Sequence, residues 1–346
     1  MPFECPVPAL DYDTITIAHG GGGRISQRLT RELLLPILGN DTLAPLHDGA
    51  VVPWTHDGLA VSTDSYVVRP RFFPGGNIGH LAVHGTVNDL AMCGAEPVGL
   101  SLAFILEEGL PIPELRTIVE TIRDACTASG VQVVTGDTKV VERGSGDGVY
   151  VNTTGFGRVR PRVEIAPERA RPGDRILLSG AIAEHGIAIL SVREGLEFET
   201  RIESDTACLW PSVRALLDTL GWDVHTLRDA TRGGVASATN EIAAGAGVGM
   251  VLDGTAIAVR EEGRGACELI GLDPQYVATE GRYLAFVPAE RADEALDAIR
   301  SDPVASEARI IGEVVADHPG VVRMTQPFGG SRVVDMMSGE QLPRIC

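Results

Sequence analysis

The sequence predicts an α+β protein built from two domains, and three observations carry that expectation. At 346 residues the chain is long for a single hydrophobic core. In the first half, strand and helix patterns follow one another as strand, helix, strand, helix, strand, strand, which fits a mixed sheet with helices packed on one side. Residues 160–174 then break the pattern with a polar stretch holding Pro161, Pro167 and Pro172, and a second series of elements begins beyond it. The expected partition is a domain at 1–160, a domain at 170–325, and a tail at 326–346 with little periodicity, expected to be mobile.

The elements follow in order. Thr14 to Ala18 alternates as a short strand and runs into Gly20, Gly21, Gly22 and Gly23, ahead of an apolar helix from Ile25 to Leu38. Four consecutive glycines form either a flexible linker or a loop whose N–H groups wrap a polyphosphate, and both readings stay open. Leu59 to Val68 reads as a strand with Asp64 near its middle, and Asp48 precedes the short apolar stretch before it. The stretch 85–97 is the centre of the first half. It reads as the last turns of a helix stopping at Gly94, with Val83, Val87, Leu90 and Gly94 on one buried face and Gly85, Asn88, Asp89 and Met92 on another. Val98 to Leu106, Val131 to Val141 and Tyr150 to Val159 are expected strands, with a helix at 113–129.

The second half is expected to hold strands at 175–179, 248–252 and 276–287, and a closing pair within 310–324. Its expected helices are 184–193, 206–220, 235–244 and 289–300.

Net charge is −18, which argues against nucleic acid or an anionic membrane as the main partner, since both need clustered Lys and Arg. No apolar run is long enough to span a bilayer, and residues 1–17 lack a secretory leader pattern, so the expected location is cytoplasmic. Six scattered cysteines contain no C-x-x-C pair, which fits reduced thiols. Cys93, Cys126, Cys208 and Cys267 sit in helical-looking apolar patterns and read as small core residues. Cys346 is different: a thiol on the last residue is sterically free to be presented elsewhere and withdrawn.

The candidate chemistry lies in polar turns. Asp48, Asp64, Asp89, Asp137 and Asp229 each flank an apolar run, and carboxylates from separate turns suit a hard divalent cation such as Mg²⁺. Lys139, after Asp137 and Thr138, is a point charge able to offset phosphate. Asp229 to Gly234, including Thr231 and Gly233, opens a helix whose N-terminus attracts anions. Plain capping by Thr231 or Asp229 explains that segment equally and is compatible with anion binding.

These segments, with His19-Gly-Gly-Gly-Gly23, Ser62 to Val68, Phe72 to Gly76, Gly85 to Ala91, Thr135 to Lys139, Arg228 to Gly234 and the terminal Pro343-Arg-Ile-Cys346, resemble the HypE family of hydrogenase maturation proteins, within the superfamily of aminoimidazole ribonucleotide synthetase and selenophosphate synthetase. The likeness runs from about residue 14 to the end, and a Pro-Arg-Ile-Cys terminus is highly specific. It departs at Ala230, where the family pattern has proline.

The resemblance implies an N-terminal domain that pairs in a homodimer and an ATP–Mg²⁺ site between two α+β domains. It also implies that Cys346 receives a carbamoyl group from a HypF-type carbamoyltransferase. ATP-dependent dehydration would turn the thiocarbamate into a thiocyanate, and cyanide would pass to iron on a HypC–HypD complex. It implies metal-ligand roles for Asp48, Asp64, Asp89 and Asp229. Phosphate or substrate contacts fall to Asp137, Thr138 and Lys139, nucleotide contacts to Gly20–Gly23, Asn88, Thr231, Gly233 and Gly234, and a proton-acceptor role to Glu280. Two alternatives remain: a selenophosphate synthetase or small-molecule kinase on the same fold, or a carrier that only presents Cys346. Cys5 lies well upstream of the Gly run, which disfavours the first, and ATP hydrolysis by the carbamoylated chain separates enzyme from carrier.

Overall fold

A computed structural model describes residues 13–16, 29–40, 58–195, 202–326, 328–336 and 344–346. Gly20–Gly23 and Asp48 lie outside the described residues, as does the start of the helix expected from Ile25. Of that helix the described part is a π-helical turn, Leu29–Leu34, leading into α1, Leu35–Leu38.

The N-terminal sheet contains β1 (Leu59–Tyr66), β4 (Ala95–Glu107), β5 (Gln132–Val141) and β6 (Val149–Val159) in the order β1-β6-β4-β5. A two-residue hairpin, β2 (Phe72–Phe73) and β3 (Gly76–Asn77), leads into α2 (Ile78–Met92). β4 and β5 run parallel because α3 (Ile112–Ser129) crosses between them, while β1, β6 and β4 pair antiparallel. Burial alternates along β6, as expected for a sheet covered on one face.

α2 starts on a capping box: Asn77 accepts from the Gly79 N–H, and the His80 side chain accepts from the Asn77 N–H. It ends at Cys93, and Gly94 turns the chain at φ +68° so that β4 begins at Ala95. Thirteen of its fifteen residues are buried, so this is no solvated surface helix. It packs on β1, β4, β6 and α3 within its own half and on elements of the second half. At Gly85 the close neighbour is Tyr66, whose hydroxyl would lie 2.3 Å from an added Cβ; the glycine brings helix and strand together.

The second half is a seven-stranded sheet in the order β13-β12-β9-β11-β7-β10-β8. Its strands are β7 (Asp174–Leu178), β8 (Thr226–Asp229), β9 (Gly249–Asp253), β10 (Tyr283–Pro288), β11 (Arg309–Val315), β12 (Val322–Thr325) and β13 (Ser331–Val334). The helices are α4 (Glu184–Arg193), α5 (Trp210–Leu220), α6 (Gly234–Ala246), α7 (Glu261–Ile270) and α8 (Ala292–Arg300). Leu177, Tyr283 and Ala285 face one core together with α5 and α8, whereas Ile176, Leu284 and Phe286 face another with α6.

Several expectations change. The strand expected over 276–287 begins only at Tyr283, and the helix expected from Thr206 begins at Trp210. The irregular stretches 277–282 and 202–209 are tied to each other, since Asp205 Oδ1 accepts from the Glu280 N–H at 2.9 Å. Cys93 is exposed at the end of α2 instead of buried, and Cys208 lies in the irregular stretch before α5. The region after Gln326 contributes β13, and Ile345 and Cys346 are buried in the main core. The end of the chain is docked, held by partners more than a hundred residues away.

Candidate functional site

Four acidic side chains meet where the two halves face each other. Asp64 comes from the helix-facing side of β1, Asp89 from the last turn of α2, Asp229 from the end of β8, and Glu280 from the irregular segment before β10. Antiparallel pairing of Tyr283 with Asp229 brings the last two elements together. Ser62 Oγ donates to Asp89 Oδ2 at 2.6 Å.

Burial, then repulsion from Asp89, pushes the Asp229 carboxyl up to about 7. Burial also raises Asp89, against the Ser62 hydrogen bond, with Asp64 adding repulsion. Glu280 is raised well above the usual carboxylate range by burial and then by Asp229, and its Oε1 has no hydrogen-bond partner. Such a cluster is costly to ionise without a cation, and hard oxygen donors fit Mg²⁺. Among the described residues no three His, Cys, Asp or Glu side chains already form a closed metal site.

Cys346 completes the cluster. Its Sγ accepts from Arg232 Nε at 3.3 Å. Burial and the neighbouring Glu280 push the thiol up to about 12, against the Arg232 hydrogen bond. Its backbone is held against residues 67–69: the Val67 N–H donates to the Cys346 carbonyl at 3.2 Å and the Arg69 N–H to the Arg344 carbonyl at 3.1 Å.

Arg232 stands just before α6. Gly233 is the N-cap at φ +74° with no side-chain cap, so neither Thr231 nor Asp229 caps this helix. The Thr231 carbonyl instead accepts from the Gly234 N–H at 2.9 Å. A Cβ at Gly234 would meet the Gln275 carbonyl oxygen at 2.5 Å, so only glycine fits. The uncapped positive end of α6 lies one residue beyond the arginine that holds Cys346.

Other expected site residues sit elsewhere. Asn88, beside Asp89, is buried and its amide is occupied by backbone: Nδ2 donates to the Ala207 and Glu280 carbonyls at 3.0 and 3.4 Å, and Oδ1 accepts from the Leu209 N–H at 2.8 Å. It clasps the two halves together instead of facing a ligand. Lys139 and Asp137 form an ion pair at 2.9 Å on the uncovered face of the sheet, and the Thr138 N–H donates to Asp137. Among the described residues no hydrogen bond or ion pair joins them to the acidic cluster. Sequence reasoning missed Arg232 as the partner of Cys346, and Asp205, buried behind Glu280. It also missed His185, Arg193 and Asp147, which hold the terminal residues.

Comparison with known proteins adds four findings. The patterns of the AIR synthase related protein family match residues 46–159 for the N-terminal domain and 171–325 for the C-terminal domain. The carbamoyl dehydratase HypE of Azotobacter vinelandii is 53% identical over 333 residues, covering 96% of this chain and 97% of that protein. The crystal structure of a hydrogenase maturation protein HypE in complex with ATP superposes with a TM-score of 0.93 at 46% identity, covering 96% of this chain and 100% of that one. A HypE chain from a crystal structure of a HypE–HypF complex superposes with a TM-score of 0.79 at 40% identity, covering 89% and 99%.

Proposed function

Since the chain belongs to the AIR synthase related family, and within it to the HypE carbamoyl dehydratases, we propose that its acidic cluster and docked terminus together carry out the dehydration of a carbamoyl group on Cys346. The reaction is the ATP-dependent conversion of a thiocarbamate into a thiocyanate in hydrogenase maturation. The observation that carries the assignment to these residues is the terminal thiol seated between Glu280 and Arg232.

The chemistry needs a leaving group, because an amide oxygen does not depart unaided. Transfer of the terminal phosphoryl group of ATP to the carbamoyl oxygen releases ADP. Loss of two N–H protons and departure of that oxygen as phosphate then leave S–C≡N on Cys346. Glu280, held in a buried site that raises its proton affinity, is the proposed acceptor of one of these protons, and the departing phosphate carries away the other. Arg232 orients the sulfur and compensates negative charge beside it. Asp64, Asp89 and Asp229, with Asp48, are the proposed Mg²⁺ ligands; a bound cation would relieve their mutual repulsion and neutralise phosphate charge. The N-terminus of α6 with Thr231, Gly233 and Gly234, and the Gly20–Gly23 run, are assigned to the nucleotide phosphates.

The uncovered face of the N-terminal sheet supports a homodimer. Leu59, Val61 and Ile105 are exposed on it, and large apolar side chains on an uncovered sheet face favour a second sheet. Lys139, Asp137 and Thr138 belong to the edge strand of this sheet, so their assignment to phosphate rests on the dimer. Two domains at 1–160 and 170–325 fit the family matches. A HypF-type carbamoyltransferase is the proposed donor, in line with the HypE–HypF complex, and a HypC–HypD complex the proposed cyanide acceptor. No described helix is long and apolar enough to cross a membrane. The five cysteines among the described residues are free thiols, which suits a reducing cytoplasm as the proposed location.

The test is intact-mass spectrometry after incubation with carbamoyltransferase, carbamoyl donor and ATP. The wild-type chain gains a carbamoyl-sized mass and then loses water, while Cys346→Ala gains nothing. Modification of the alanine variant would remove the assignment.

A further inference from the structure

The last three residues are held by contacts that the dehydration chemistry does not need. The Arg344 side chain places Nη2 2.6 Å from Asp147 Oδ2, and its Nε donates to the Val67 carbonyl at 3.1 Å. The Arg344 carbonyl accepts from Arg193 Nη2 at 2.7 Å, and the same guanidinium donates to the Arg69 carbonyl through Nε at 3.0 Å. Arg193 therefore staples the terminal segment to the segment it pairs with. Arg344 itself adopts φ +57°, a left-handed conformation that costs a non-glycine residue and persists only where surrounding contacts impose it.

The next carbonyl is engaged by a buried imidazole. His185 Nε2 lies 2.7 Å from the Ile345 carbonyl, which can only accept, so Nε2 carries the proton. Nδ1 must then accept from the Ser204 hydroxyl at 2.7 Å, whose oxygen accepts from the Thr206 N–H at 3.1 Å. Each group in this chain has one role, so the His185 ring can point its proton only at a carbonyl. The Ile345 side chain is 5% exposed within the main core, which supplies a dry contact beside the polar ones. On the outer side, Val68, Arg69 and Asp147 also line a cavity of about 650 Å³, and the Arg344 and Asp147 side chains are each about a third exposed while Ile345 stays dry.

We infer that Asp147, Arg193 and His185 form a latch specific for an Arg-Ile-Cys terminus, and that these positioning residues set how long the loaded end stays beside Glu280. The inference rests on Cys346 being the carrier. The specificity follows from the partners: Asp147 selects a cation at 344, the core selects an aliphatic side chain at 345, and His185 and Arg193 hold the two carbonyls in register. A terminus with other residues at 344 and 345 would still bear a thiol and would leave Asp147 and the apolar contact unmatched.

The test uses the full chain and iodoacetamide, reading labelling of Cys346 by mass at pH 8. A docked thiol is sterically closed, so labelling reports the released fraction. Loss of the half-exposed ion pair in Asp147→Ala should speed labelling of Cys346 about 2- to 5-fold. Loss of the charge-assisted bonds in Arg193→Ala should speed it about tenfold or more. Exposed Cys93 should label at an unchanged rate, which controls for the fold. The pair Asp147→Arg with Arg344→Asp should return labelling toward wild type, a rescue that a merely structural role for Asp147 would not give. Unchanged labelling in both single variants, or failure of the swap to rescue, overturns the latch. Single-turnover loss of water from the carbamoylated chain should slow by matching factors. Absence of water loss in the wild-type chain as well would instead refute the dehydratase chemistry, leaving the labelling result to decide the latch.

Discussion

The acidic cluster makes a prediction that needs no substrate. Asp229 titrates near 3.8 when unfolded and is pushed up to about 7 by burial and then by Asp89. Between those limits the metal-free folded chain keeps a proton that the unfolded chain has lost, so stability falls as pH rises. At about 1.4 kcal/mol per unit of difference, roughly 3 kcal/mol is lost between pH 5 and pH 8. At about 2 cal/mol/K of unfolding entropy per residue, a chain of 346 residues shifts by roughly 1.4 °C per kcal/mol, so a fall on the order of 4 °C is expected without metal. Asp229→Asn keeps the shape, removes the charge, and should flatten that slope. Millimolar Mg²⁺ at pH 7.5 should raise the wild-type melting temperature and leave the variant nearly unmoved. Thermal unfolding by circular dichroism with EDTA, then with Mg²⁺, measures both. A wild-type profile as flat as the variant's, or equal Mg²⁺ effects on the two, would refute the reasoning.

Two further outcomes follow from the site. Glu280→Gln should leave carbamoylation of Cys346 intact and stop the ATP-dependent loss of water, as read by intact mass; continued dehydration would show that another group accepts the proton assigned to it. The uncovered N-terminal sheet face should hold two copies together at micromolar concentration, and a monomer mass by light scattering would remove the dimer and, with it, the role given to Lys139.

What the sequence made legible was local. α2 and its stop at Gly94 follow from apolar spacing and a left-handed glycine, and the paired strands of the first half follow from alternation and length. β8 was hidden because four residues with Arg228 exposed give almost no pattern, and α7 because Gly263 and Gly265 dilute its apolar face. Asp64, Asp89 and Asp229 were legible as carboxylates beside apolar runs, but they lie in β1, α2 and β8 and not in the expected turns, and their convergence depends on β8 pairing with β10 and on α2 bridging the halves. The docked terminus was illegible for the same reason. Arg232, His185 and Arg193 lie between 114 and 160 residues from their partners at 344–346, and no short-range rule connects them. Asn88 shows the converse: an amide beside a functional carboxylate looks like a ligand contact until its three backbone partners are seen.

The docking of Cys346 within its own chain also fixes the kinetic character of the reaction. A substrate attached to its enzyme has no bulk concentration, and the encounter is governed by the reach of the tether. Covalent attachment within one chain supplies effective concentrations of about millimolar. The chemical step should therefore be first order, unaffected by dilution, and saturable only in ATP. A free peptide ending in the same residues would need to exceed that local concentration before it slowed the reaction. Each chain presents a single loaded end, so sustained turnover is paced by the partners that charge and unload it.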